Sequence, residues 1–211
     1  MPLVHHGARR GLRIVAALAL ACAALAGCFA TDPARSGGAR PGVSYPMNVD
    51  DFGRYDRFPA EVAGYRRVAV LSYAPGLVDY SIGYDRHDAS VDSVVTLYFY
   101  PRMNDTVGQL RTEEQQVLQT HRATRLVAHK TMQLMRNGAP FEAHVTTFEY
   151  DELFHGAVQP VASELLVVFR AQGVFKVRAT APRAQAAPAE AAMLQLLEGV
   201  AWDAPEAFDG R

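Results

Sequence analysis

Residues 163–180 read SELLVVFRAQGVFKVRAT, and this stretch decides the fold. Ser163–Arg170 is apolar on both alternating faces, the pattern of a strand covered on two sides in the middle of a sheet. Ala171-Gln172-Gly173 turns the chain. Val174–Thr180 then runs back with Phe175, Val177 and Ala179 on one face, and Pro182 stops it.

Working outward, Val94–Tyr100 (VVTLYFY) is a second run apolar on both faces and ends at Pro101. Before it, Arg67–Tyr73 is β-rich and stops at the turn pair Pro75-Gly76. Val78, Tyr80, Ile82 and Tyr84 then alternate with Asp79, Ser81 and Gly83. Asp85 to Asp92 is polar and reads as a loop. The period changes from about Thr106 to Leu126, which is rich in helix formers. Val107, Leu110, Glu114, Val117, Leu118, His121 and Arg125 share one side of that helix. The stripe is narrow, so the helix is expected to cover the sheet at its periphery. Strands return at His129–Arg136 and Phe141–Tyr150 around Asn137-Gly138, a strong hairpin signal, although Pro140 leaves open a wider loop. Pro188–Trp202 is helical, with Met193, Leu194, Leu197, Val200 and Ala201 toward the sheet and Trp202 packed on the core.

Three strands, a helix, four strands and a helix imply an α+β fold. The expected sheet is mostly antiparallel, of about six to seven strands, with helices packed on it, and not a βαβ wrap. One domain is expected over residues 61–203. It follows a signal peptide (1–27) and a flexible tether (28–60), and residues 204–211 form a tail. Phe52, Tyr55 and Phe58, spaced by three at the end of the tether, read either as a docking helical turn or as a loosely packed lead-in.

VVTLYFYP, a helix, then ELLVVFRAQGVFKVRATAP and an amphipathic C-terminal helix together resemble small exported bacterial proteins of uncharacterised function. The element order is similar to the PsbP-like α-β-α sandwich over most of residues 65–202. The resemblance rests on β-rich runs and the KVRAT box, Lys176–Thr180. It implies a non-enzymatic assembly or binding protein and no catalytic residues, and fold by itself does not fix function.

The amino terminus carries the most specific signal. Residues 1–13 contain Arg9, Arg10 and Arg13, and residues 14–27 (IVAALALACAALAG) are apolar and uncharged. That run is shorter than the ~20 residues of a membrane-spanning helix and has the layout of an export signal. Ala24-Leu25-Ala26 offers an ordinary cleavage site. Leu25-Ala26-Gly27-Cys28 resembles the lipobox of bacterial lipoproteins, in which the Cys becomes the acylated first residue. The lipobox is the favoured reading, because a linker rich in Pro and Gly follows directly. In that family an Asp directly after the Cys retains the protein at the inner membrane; here the residue is Phe29, so the resemblance implies the outer membrane, facing the periplasm. About 20 tether residues reach roughly 25 Å, enough to lift a domain off the headgroups.

Composition narrows the classes further. The chain has 211 residues, 49% hydrophobic and 20% charged, with net charge −1. Without residues 1–27 it carries 18 basic and 22 acidic residues, and it has no basic run that suggests nucleic acid. Cys22 and Cys28 are its only cysteines, so the body cannot form a disulfide, a thiolate metal site or a cysteine nucleophile.

No motif in the body specifies chemistry. In the Asp85–Asp92 loop, Asp85, His87, Asp88 and Asp92 are ligand types, with His87 and Asp88 the candidate metal residues. Their spacing matches no Ca²⁺ loop, and Ser90, His87 and Asp88 make a poor triad. His121, His129, His144 and His155 are scattered, without the helical spacing of a zinc motif. Lys176, Arg178 and Thr180 share one strand face and form the candidate binding face, unless Glu164 or Glu149 pairs with the cations in a cross-strand ladder.

The expectation is therefore a lipid-anchored, non-enzymatic binding or assembly module, without cofactor and with envelope proteins as partners. The alternative is a periplasmic hydrolase or metal-binding protein using the Asp85–Asp92 loop.

Overall fold

The computed structural model describes residues 57–73, 79–171 and 173–203, all within one compact unit. Cys28, the LAGC motif, most of the tether and the 204–211 tail lie outside the described residues. The elements are β1 (Glu61–Val62), β2 (Tyr65–Ser72), β3 (Tyr80–His87), β4 (Asp92–Tyr100), α1 (Thr106–Thr120), β5 (Arg125–Arg136), β6 (Ala139–Phe154), β7 (Ala157–Arg170), β8 (Gly173–Pro182), a 3₁₀ turn (Arg183–Gln185) and α2 (Ala186–Gly199).

The fold is α+β, as expected. Eight strands, rather than six to seven, form one open sheet in the order β1-β2-β3-β4-β8-β7-β6-β5, with every neighbouring pair antiparallel. The extra strand is the two-residue β1, too short for a periodic signal, which folds back on β2. The chain climbs to the sheet centre at β4, crosses to the far edge through α1, and meanders back so that β8 pairs with β4. β4 and β5 therefore run in the same direction with three strands between them. Four strand spacings span about 19 Å. The 15 residues of α1 make a helix about 22 Å long, long enough for that crossing.

Alternation along β4 divides the core into two layers. Val95, Leu97 and Phe99 pack with Phe175, Val177 and the buried face of α2, which includes Ala189, Ala192, Met193, Leu196 and Leu197. Val94, Tyr98 and Tyr100 face the other way, with Phe148, Leu165, Val167 and Val117 of α1. Trp202 stacks on Phe175 at 4.9 Å, meets Phe141 edge-on, and donates Nε1–H to the Leu197 carbonyl at 3.0 Å. The packed domain begins earlier than its expected boundary. Phe58 is fully buried edge-on to Phe99, and the Arg57 carbonyl accepts from Ala201 N–H. Phe52 and Tyr55 lie outside the described residues.

Asn137-Gly138 makes a two-residue turn with both φ angles positive, +50° and +79°, as a type I′ hairpin requires. Pro140 does not widen it, because Met135 faces Pro140 in register.

α1 ends at Thr120, because His121 is already extended (ψ 138°). Its buried residues are Gln109, Glu113 and Val117, while Val107 is exposed. The narrow apolar stripe is there, with Val117 buried and Leu110 and Leu118 partly buried against the same core layer, but two buried polar side chains lie beside it. Those side chains are satisfied: Gln109 Oε1 accepts from Met103 N–H, and Glu113 accepts from Tyr100 and Lys176.

Candidate functional site

Half of the expected Asp85–Asp92 loop is strand. β3 runs to His87 and β4 starts at Asp92, leaving Asp88–Val91 as a tight connection. Asp88 organises that connection. Its Oδ1 accepts from Ser90 N–H, Ser90 Oγ–H and Val91 N–H, and its Oδ2 accepts from Arg86 Nε. These bonds hold its carboxyl well below the usual carboxylate range, with the Ser90 hydroxyl contributing most. Ser90, His87 and Asp88 are not assembled as a triad: Ser90 donates to Asp88, while His87 turns to Asp92. Asp88 is also absent from the one group of ligand-type side chains that converges there among the described residues.

That group is His87, Asp92 and His155. His87 and Asp92 face each other across the β3–β4 pair, on the sheet face that α1 covers. His155 arrives from the tip of the β6–β7 hairpin, where His155 and Gly156 form a turn with φ of +46° and +88°. Asp92 Oδ1 is 2.9 Å from His87 Nδ1 and 2.6 Å from His155 Nδ1. The other ring nitrogen of His155 lies 3.4 Å from Asp85 Oδ1, an atom that is shielded from solvent and accepts no hydrogen bond. Asp92 N–H donates to Gln185 Oε1, which ties the start of β4 to the turn before α2. The hydrogen bond to Asp92, and then its charge, raise the His87 pKa.

The Lys176–Arg178–Thr180 face is corrected by α1. All three project toward that helix, but Lys176 is 7% exposed beneath it. Lys176 Nζ donates to Glu113 Oε2 at 3.0 Å and lies 4.3 Å from the centre of the Tyr98 ring. Lys176 is therefore a core ion pair, not part of an exposed face. Neither expected acid pairs with Lys176 or Arg178. Glu164 faces the α2 side near Lys130, and Glu149 pairs with Arg125 and Arg183.

Arg178 sits past the C-terminal end of α1, half-buried. Its Nε donates to Ser163 Oγ at 2.6 Å and its Nη2 to Tyr150 Oη at 2.9 Å. His121 Nε2 lies 3.3 Å from the same Nη2, and the His121 ring stacks on Tyr150 at 4.1 Å. Ser163 also bonds Thr180 Oγ1 at 2.9 Å. Burial first, and the Arg178 charge second, push the His121 pKa down to about 4, so the ring is neutral at pH 7. Burial raises the pKa of neighbouring Glu152, whose carboxylate lies 3.7 Å from His121 Nδ1. No carboxylate lies within ion-pair distance of Arg178 among the described residues.

The remaining histidines among the described residues, His129 and His144, meet different carboxylates. His129 lies 3.2 Å from Glu114 Oε1, and His144 lies 3.6 Å from Glu142. Both line an open cavity of about 210 Å³ with Leu110, Lys130 and Thr146.

Sequence reading missed the partnership of His155 with His87 and Asp92. The available signal was the dipeptide His155-Gly156 between Ala139–Phe154 and Ala157–Arg170, a hairpin turn of the Asn-Gly kind with His in place of Asn.

Compared with known proteins, the chain matches no family model and no curated sequence.

Proposed function

We propose that this chain is a lipid-anchored envelope protein, facing the periplasm from the outer membrane, whose domain is a non-enzymatic binding module. Its binding centre is Arg178 with Thr180, Ser163, Tyr150 and His121, and it receives an anionic group of its ligand. The observation that carries this reading is the surrounding of Arg178. Its guanidinium is oriented by Ser163 and Tyr150 and flanked by the neutral His121 ring; among the described residues no carboxylate lies within ion-pair distance of it, and the nearby Glu152 feels its charge without contact. A guanidinium held in place by neutral partners keeps its charge available and loses little side-chain entropy when it binds an oxyanion. The anchor is supported by LAGC at Leu25–Cys28 and the linker after it. Two or more acyl chains hold stably where one does not.

Two measurements test it. Replacing Cys28 by Ala is expected to move the protein from the membrane to the soluble periplasmic fraction, and unchanged membrane retention would sink the anchor. For the centre, NMR titration with inorganic phosphate and with acetate is expected to perturb Tyr150, Ser163 and His121 in a saturable way. Arg178→Gln is expected to weaken that response at least tenfold. An identical titration of the variant removes Arg178 from the reading.

A further inference from the structure

We propose that His87, Asp92 and His155 bind a divalent transition-metal cation of the zinc type, with Asp85 orienting His155 from behind. The site uses none of the residues of the Arg178 centre. Its function is to fasten the β6–β7 hairpin to the start of β4.

The convergence is unusual in its economy. Two imidazole nitrogens, both Nδ1, meet the same carboxylate oxygen, Asp92 Oδ1. Each contact holds only when a proton sits between nitrogen and oxygen, so the metal-free arrangement spends two protons on one acceptor. One cation replaces both. The three ligand atoms lie within 4.8 Å of one another. Around a tetrahedral zinc, with bonds of about 2.0–2.2 Å, such atoms stand about 3.4 Å apart, so shifts of about 1 Å complete the sphere. Imidazole with carboxylate is a donor set that suits zinc, nickel or copper over magnesium or calcium.

Asp85 is the second, independent observation. A histidine that ligates a metal through one ring nitrogen usually donates the other N–H to a carboxylate, which fixes the tautomer. With Nδ1 of His155 on the metal, Nε2–H points toward Asp85 Oδ1 at 3.4 Å, an atom that at present accepts nothing. The proposed site therefore gives that orphaned oxygen its donor.

The backbone agrees. His155 holds φ at +46°, a turn position where Asn or Gly would be the easier choice. Histidine is among the side chains that enter this region more readily than most, so the turn presents the His155 ring to Asp92 without unusual backbone cost. The hairpin also needs fastening. Ala157–Pro160 pair only with β6, because β8 ends opposite Val161. The overhang still brings its tip across to β4, which is three places from β6 in the sheet.

The test uses the mature lipidated protein in detergent, stripped with chelator; with Cys28 as its first residue it carries neither His5 nor His6, so the leading histidine pair does not compete. Isothermal titration with zinc chloride is expected to show one site of micromolar or tighter affinity. His155→Asn keeps a turn-compatible residue and His87→Gln changes an exposed side chain, so both are expected to fold. Each should weaken zinc at least tenfold. Asp85→Asn should weaken it by a smaller factor, and His144→Gln should leave it unchanged. Zinc is expected to raise the melting temperature of the parent chain and not that of His155→Asn. Absence of saturable zinc binding, binding that survives both histidine variants, or equal binding of magnesium would each overturn the assignment.

Discussion

Lys176 Nζ lies 3.0 Å from Glu113 Oε2, joining β8 to α1 with the two side chains only 8% and 3% exposed. The pair is completed by Tyr100, whose hydroxyl donates to Glu113 Oε1 at 2.7 Å, and by the Tyr98 ring beside the ammonium. Desolvating two charges costs several kcal/mol, so the pair does not by itself stabilise the fold strongly; removing one partner, however, strands the other. Glu113→Ala is expected to lower unfolding free energy by about 3–5 kcal/mol. The double variant Glu113→Leu with Lys176→Met should recover most of that loss. Urea unfolding at pH 7 measures both. A single variant as stable as the parent would show that the pair is not buried in solution.

The His121 ring gives a pH dependence whose sign follows from its environment. Its pKa is depressed from 6.5 to about 4 in the folded state. Between those values the unfolded chain binds a proton that the folded chain does not, so stability rises with pH across that window. The contribution is fully present above pH 6.5 and is lost as pH falls toward 4. The depression corresponds to roughly 3 kcal/mol at most, and the ring's contact with solvent screens it to about 1–2 kcal/mol. Glu152 and Glu164 are shifted upward by burial and act in the opposite sense, so the comparison must isolate His121. His121→Gln is expected to flatten the difference in urea midpoint between pH 7 and pH 4.5. His121 ring resonances in the parent chain should titrate near pH 4. A ring that titrates near 6.5 would place it in solvent.

How much of this was legible in the sequence follows from what each residue packs against. Val94–Tyr100, Ser163–Arg170 and Val174–Thr180 are readable because they are apolar where both faces are covered. Trp202 is readable as core because a lone large aromatic has few places to go, although the helix expected to run to it stops at Gly199. The parity of Lys176, Arg178 and Thr180 is also correct. Parity, however, cannot tell which part of a face a helix covers, and α1 meets Lys176 with Glu113, which carries no hydropathy signal. The hairpin overhang was missed for a related reason. Asp151, Glu152, Gln159 and Pro160 pair only within the hairpin, so the alternation that marks a covered strand is broken there. The meeting of His155 with Asp92 spans 63 residues, a separation at which spacing carries no information.

Gly199 is required for space. A Cβ at that position would stand 2.3 Å from Val62 Cγ2, where the end of α2 meets β1. Val62 is β-branched and cannot swing aside cheaply, so Gly199→Ala is expected to cost about 1–3 kcal/mol through overpacking. Truncating the neighbour should relieve it. The double variant Gly199→Ala with Val62→Ala is expected to be more stable than the sum of the two single losses predicts. Strict additivity in chemical denaturation would mean that the two residues do not touch.

Gly138 is required for the opposite reason, and the contrast separates two causes of the same substitution cost. Nothing lies within 4 Å of a Cβ built on Gly138, but its φ is +79°, a conformation that costs an L-residue about 1 kcal/mol or more. Gly138→Ala is therefore expected to destabilise the β5–β6 hairpin by about 1–2 kcal/mol through backbone strain alone. No truncation of a neighbouring side chain should rescue it, whereas Gly138→Asn, which tolerates the left-handed region, should recover a large part. Hydrogen exchange at Lys130–Arg136 and Ala139–Val145 should report the loss locally, because these residues pair across the turn. If Ala and Asn are equally tolerated at 138, the turn does not hold the type I′ geometry, and the register Met135–Pro140 must be set by the strands instead.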